Sequence, residues 1–140
     1  MLWHTRAVLP VGQTLARGTV LLVDDDPAAC DIYGQYFERA GYLVVTVMRG
    51  ADVLMRALQC APDIIVMDLM LPGMSGCGAT RQLKANPRTA SIPVVGITAS
   101  LSGDLRREAI AAGCADVILK PFPPEQLVLS VRDFLRTNQV

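Results

Sequence analysis

The chain has 140 residues, 51% apolar and 19% charged, which suits one well-packed domain, is short for two, and excludes a largely disordered polymer. Thirteen basic residues balance thirteen acidic ones and no run of like charge reaches five, so neither direct nucleic-acid binding nor an anionic membrane surface is expected. No apolar run approaches the ~18 residues of a spanning helix. The widely spaced Cys30, Cys60, Cys77 and Cys114 lack zinc-ligand spacing and read as reduced thiols of a cytoplasmic protein.

Residues 1–18 show no clean period and are interrupted by Pro10, Gly12 and Gly18. They read as an N-terminal extension or linker, with Leu2 and Trp3 as candidates for docking onto a domain that occupies residues 19–140. The first strand is expected over Val20 to Asp24. Asp26 and Pro27 then open a helix that Gly41 ends. The β-branched run Leu43-Val44-Val45-Thr46-Val47 is a second strand, followed by a helix that stops before Pro62. Asp63 to Asp68 is a third strand, apolar enough to be covered on both faces. After a loop containing Pro72, Gly73, Ser75, Gly76 and Gly78, a helix is expected from about Ala79 to Ala85. Ile92 to Ile97 is a fourth strand, and Ser102 or Gly103 opens a helix that Gly113 terminates. Val117 to Leu119 is a short fifth strand, and a final helix runs from about Pro124 to Arg136. Strict alternation of strand and helix predicts an α/β fold with a doubly wound, five-stranded parallel sheet, commonly in the order 2-1-3-4-5.

In such a sheet ligands bind at the carboxyl ends of the strands, and in that order the first and third strands adjoin. Asp24 and Asp25 follow the first strand, Asp68 ends the third, Thr98 the fourth and Lys120 the fifth. Asp68, with Pro72-Gly73 just beyond it, is expected to stand exposed at the rim. Several carboxylates in one cleft repel unless a proton or a cation neutralises them, and an oxygen-rich set without His or Cys favours Mg²⁺. Lys120 adds a mobile positive charge and Thr98 a hydroxyl donor, both suited to a phosphoryl group arriving at Asp68 as carboxylate nucleophile. Asp26, directly before Pro27, reads as a helix cap rather than a ligand.

An acidic pair after strand one, an aspartate after strand three, a Ser/Thr after strand four and Lys-Pro after strand five, in register over roughly residues 19–137, resemble the receiver domain of two-component response regulators. The resemblance implies a flavodoxin-like fold and phosphorylation of Asp68 by a histidine kinase or phosphotransfer protein. It implies Mg²⁺ held by Asp25, Asp68 and the Met70 backbone carbonyl, with Asp24 acting through water. It also implies a cis Lys120-Pro121 peptide, contacts from Thr98 and Lys120 to the phosphoryl group, and a conformational switch that controls an output protein or domain. The face of the fourth helix, fifth strand and fifth helix is the implied partner or homodimer surface, where Arg106, Arg107 and Arg132 could contribute. No membrane partner is implied.

The chain departs from the family pattern at Val117, where receivers carry an aromatic ring that moves with the switch. Coupling through the loop after strand four and a plain strand residue with no switching task are both compatible with a valine there. Met70 and Ser100 occupy positions that, by resemblance, tune the lifetime of the phosphoryl group. Two other readings compete with the phospho-acceptor: a receiver fold that docks without phosphorylation, and a small Mg²⁺-dependent phosphohydrolase. Haloacid dehalogenase phosphatases place a second Asp where this chain has Met70, so only slow self-dephosphorylation is expected rather than turnover of external substrates.

Overall fold

Apolar residues on every position of a strand require cover on both sides, and three strands meet that description. In the computed structural model, which describes residues 16–137, β1 (Thr19–Val23), β3 (Ile64–Asp68) and β4 (Val94–Thr98) bury all but one of their residues. β2 (Leu43–Val47) and β5 (Asp116–Leu119) keep part of their length in water. The five strands are parallel in the order β2-β1-β3-β4-β5, so the two partly wetted strands are the edges. The readings that fall on residues 1–15, including docking of Leu2 and Trp3, lie outside the described residues.

Side-chain alternation along the strands divides the core in two. Leu21, Val23, Ile65 and Met67 face one side, where α2 (Val53–Cys60), α3 (Gly76–Ala85) and α4 (Gly103–Ala112) contribute Val53, Leu83 and Ala109. Val20, Leu22, Ile64 and Val66 face the other, against Phe37 of α1 (Pro27–Arg39) and Leu127 and Val131 of α5 (Pro124–Thr137). Phe37 is fully buried. Truncating a ring of that kind to alanine typically costs about 3–5 kcal/mol. Among the described residues no helix is long and apolar enough to cross a membrane.

Local chemistry sets the helix ends. The Asp26 side chain accepts the Ala28 N–H at 3.0 Å and Pro27 occupies the first turn. Gly113, at φ +117°, closes α4 in the left-handed region that glycine adopts without steric cost. α3 begins at Gly76 rather than near Ala79. Ser75 Oγ accepts the Gly78 N–H at 3.1 Å and caps the helix, so the two glycines that read as loop residues belong to its first turn. Gly76 fits there because a side chain would meet the Asp68 carbonyl and come within 2.7 Å of Leu69 Cα. The start of α3 therefore presses directly on the end of β3.

Candidate functional site

The register of the sheet brings the acids together. Val23 of β1 pairs with Met67 of β3, and one residue further Asp24 and Asp68 stand at adjacent strand ends. One carboxylate oxygen from each of Asp24, Asp25 and Asp68 lies within 4.8 Å of the others. Asp24 and Asp68 are buried, whereas Asp25 is exposed. Burial of Asp68, only 7% exposed, corrects the expectation that it would stand out at the rim. The chain after β3 turns back over it: Asp68 Oδ1 accepts the Met70 N–H at 2.8 Å, and Leu69 and Leu71 on either side of Met70 are buried.

Lys120 comes from the far edge of the sheet. Its backbone N–H donates to the Thr98 carbonyl at 2.8 Å, which fixes the end of β5 beside the end of β4. Its ammonium lies 3.9 Å from Asp68 Oδ2 and 4.0 Å from Asp24 Oδ2. The Lys120-Pro121 peptide is cis. Thr98 is buried, and its Oγ1 accepts the Ser100 N–H at 3.0 Å.

Charge is expensive in this arrangement. Burial holds the Asp24 carboxyl above its ordinary value; Asp68 and Asp25 push in the same direction, while the Asp26 N–H, 2.9 Å from Asp24 Oδ1, and Lys120 oppose it. The Cys30 thiol lies beneath, donating to the Asp24 carbonyl at 3.4 Å. Burial and then the neighbouring aspartates, Asp24 first, push that thiol up to about 11, so it stays protonated. Beside Asp25 opens a cleft of about 500 Å³, lined also by Met70, Pro72, Ser75, Leu105 and Glu108.

The ends of β1, β3 and β5 thus bring three acids and a lysine together, with Thr98 ending β4 between β3 and β5, and the response regulator receiver domain model matches residues 20–132. The chain belongs to the response regulator receiver family. The receiver is 37% identical over 84% of its length to the DNA-binding dual master transcriptional regulator RpaA of Synechocystis, and covers 48% of that protein. It is 32% identical to the phosphate regulon transcriptional regulatory protein PhoB of Rhizobium meliloti over 84% of this chain and 52% of the relative. The chain thus spans about half the length of the curated relatives it matches. Among solved structures, chemotaxis protein CheY4 of Vibrio cholerae superposes with a TM-score of 0.79 at 27% identity, over 84% of this chain and 98% of the other. The BeF3-activated N-terminal receiver domain of Klebsiella pneumoniae RstA does so at 0.77 and 29% identity, over 84% and 98%. The flavodoxin-like receiver fold and the 2-1-3-4-5 order hold for this chain.

Val117 packs in the core on the α4 side of the sheet. Its carbonyl accepts Arg106 Nη1 at 3.0 Å, and Arg106 Nη2 lies 3.7 Å from the Asp116 carboxylate. Arg106 thus ties α4 to β5 within the molecule. Arg107 pairs with Asp104 on the exposed surface, and Arg132 is half-buried, its charge reaching Tyr42. Two features at the site escaped the motif reading. Tyr33 of α1 stacks on Phe122, and the Cys30 thiol supports the Asp24 backbone. Both residues sit at core spacing in the helix, which carries no signal for a neighbouring site.

Proposed function

We propose that this receiver takes a phosphoryl group on Asp68 from a histidine kinase or phosphotransfer protein, in the presence of Mg²⁺, and changes conformation to control a partner or output domain. One observation carries the reading: three carboxylates converge within 4.8 Å while a lysine ammonium stands over two of them. The working unit is taken as residues 19–140, with 1–18 as an extension or linker, and the compartment as the cytoplasm.

An all-oxygen donor set without His or thiolate suits a hard cation. Asp25, Asp68 and the Met70 backbone carbonyl would hold Mg²⁺, with Asp24 acting through water. When bound, the ion offsets the negative charge that opposes attack of one anion on another. Asp68 Oδ1 is already engaged by the Met70 N–H, so Oδ2, on the Lys120 side, is the attacking oxygen. The new O–P bond forms as the donor's N–P bond breaks, and the electron pair stays on the imidazole nitrogen. The Lys120 ammonium and Thr98 hydroxyl then grip the transferred oxygens.

New charge at Asp68 draws Thr98 and the loop after β4 toward it, and α4 re-packs. A shift from about 1:99 to 99:1 requires a preference of roughly 5.5 kcal/mol for the active state. Val117 has no ring to move, so the loop carries this coupling. Met70, 61% exposed, brings no base to a water near Asp68, which supports slow self-dephosphorylation and argues against a phosphohydrolase. On the α4–β5–α5 face, Leu119 and Leu129 are 43% and 48% exposed and support a protein partner or second copy there. The balanced charge of the chain supports a protein rather than a nucleic acid as the partner of this segment.

Intact-mass measurement after incubation with acetyl phosphate and Mg²⁺ tests the reading. One added phosphoryl group is expected on the wild-type chain and none on Asp68→Asn or in the presence of a chelator. A docking module would stay unmodified, and a phosphohydrolase would release phosphate over many turnovers.

A further inference from the structure

We propose that the stacked rings of Tyr33 and Phe122 form a strut that sets the Lys120 ammonium over the acid cluster, which makes Tyr33 a positioning residue for phosphoryl uptake. The inference rests on the assignment of that uptake to Asp68.

Lys120 does not hold itself in place. Its ammonium stands 3.9 and 4.0 Å from its two carboxylate neighbours, beyond hydrogen-bond reach, and its side chain is 30% exposed. The two carboxylates are buried, but with no hydrogen bond to either of them and part of its stem in water the ammonium is attracted without being locked in one geometry. The position of the head group is therefore set by the backbone from which it extends. That backbone has few anchors: Pro121 and Pro123 have no N–H to donate. The Lys120 N–H bond to Thr98 fixes the segment on one side. On the other side Phe122 turns inward and packs on the core beneath α1 and α5.

There it meets Tyr33, with ring centroids 5.7 Å apart and planes 18° from parallel. Tyr33 belongs to α1, the helix that begins just after Asp24 and Asp25. Asp24 accepts the N–H of the α1 cap residue Asp26, and Tyr33 lies about two turns further along. One rigid element thus joins the carboxylate side of the site to the segment that carries the lysine. The contact is made by the ring face, so ring identity matters more than the hydroxyl.

The test compares Tyr33→Leu, Phe122→Leu and Tyr33→Phe in the full chain, with acetyl phosphate as donor, Mg²⁺ affinity measured separately, and thermal melts to establish folding. Each leucine variant is expected to slow uptake about tenfold while leaving Mg²⁺ affinity within about twofold, because the strut serves the lysine and not the metal ligands. Tyr33→Phe is expected to retain the wild-type rate, and the double leucine variant to be no slower than either single one. Should a leucine variant not fold, Tyr33→Met, which removes the ring and fills the gap with a flexible thioether, takes its place. Wild-type rates in the folded leucine variants, a parallel fall in Mg²⁺ affinity, or a Tyr33→Phe chain as slow as Tyr33→Leu would each overturn the strut alone. A wild-type chain that takes no label would overturn the underlying reading and the strut with it.

Discussion

The Lys120 ammonium stands 3.9 Å from Asp68 Oδ2, inside the range of ionic attraction and outside that of a hydrogen bond. The pair is close enough for both groups to grip one transferred phosphoryl group and too loose to lock the carboxylate away from it. Replacing Lys120 by alanine is expected to slow uptake from acetyl phosphate by about 10²-fold, the order found when a charge-stabilising donor is removed. Mg²⁺ affinity is expected to hold or rise, since a cation competing for Asp24 and Asp68 has gone. Calorimetric titration beside a phosphorylation time course checks both; weaker metal binding with unchanged uptake would contradict the assignment.

Asp24 binds its proton more tightly in the fold than in the unfolded chain, chiefly because burial removes water from the carboxylate. A raised pKa of this kind contributes stability fully present below the unfolded value of 3.8 and lost as pH rises through the folded value. Asp24→Asn keeps an acceptor for the Asp26 N–H and removes the titration. In metal-free buffer the variant is expected to have the higher urea midpoint at neutral pH, with the gain disappearing below pH 3.8. Mg²⁺ should then stabilise the wild type more than the variant. A lower midpoint for Asp24→Asn at pH 7 would show that desolvation is not the governing cost.

Two glycines near Asp68 are expected to respond differently to alanine. At Gly76 the new methyl would meet the Asp68 carbonyl and lie 2.7 Å from Leu69 Cα, both backbone, so a loss of about 1–3 kcal/mol and impaired uptake are predicted. At Gly73, with φ +73° and no atom within 4 Å, the cost is conformational alone, about 1 kcal/mol, with uptake preserved. Chemical denaturation and acetyl phosphate labelling of the two variants separate these outcomes.

Arg106 bridges α4 to the Val117 carbonyl and the Asp116 carboxylate on β5. Arg106→Ala is predicted to cost about 1 kcal/mol, the worth of a single hydrogen bond to a charged donor at a half-open site. Amide exchange is expected to quicken along α4 and β5. Arg107→Ala, which removes only an exposed pair with Asp104, is expected to change stability by less than about 0.5 kcal/mol.

The strands were readable because apolar runs such as Val20 to Val23 and Ile64 to Met67 are bounded by turn-forming residues and end in acids, whereas their order was expected only as the common one for such folds and is set by the packing the structure shows. The burial of Asp68 was not readable. It depends on the Met70 N–H folding back to the carboxylate, a turn that Pro72-Gly73 signals without giving its direction. The start of α3 was hidden because Gly76 and Gly78 are loop residues by propensity, and the reason for a glycine at 76 lies in its contact with the Asp68 backbone. Tyr33 and Phe122 are 89 positions apart and look like ordinary core aromatics; only the fold stacks them.

The most direct measurement locates the acyl phosphate. Borohydride reduction after acetyl phosphate and Mg²⁺ treatment converts a phosphorylated aspartate to homoserine, which peptide mass spectrometry then maps. The predicted result is homoserine at position 68 alone, dependent on Mg²⁺. Conversion at position 24 or 25, or none at all, would contradict the account.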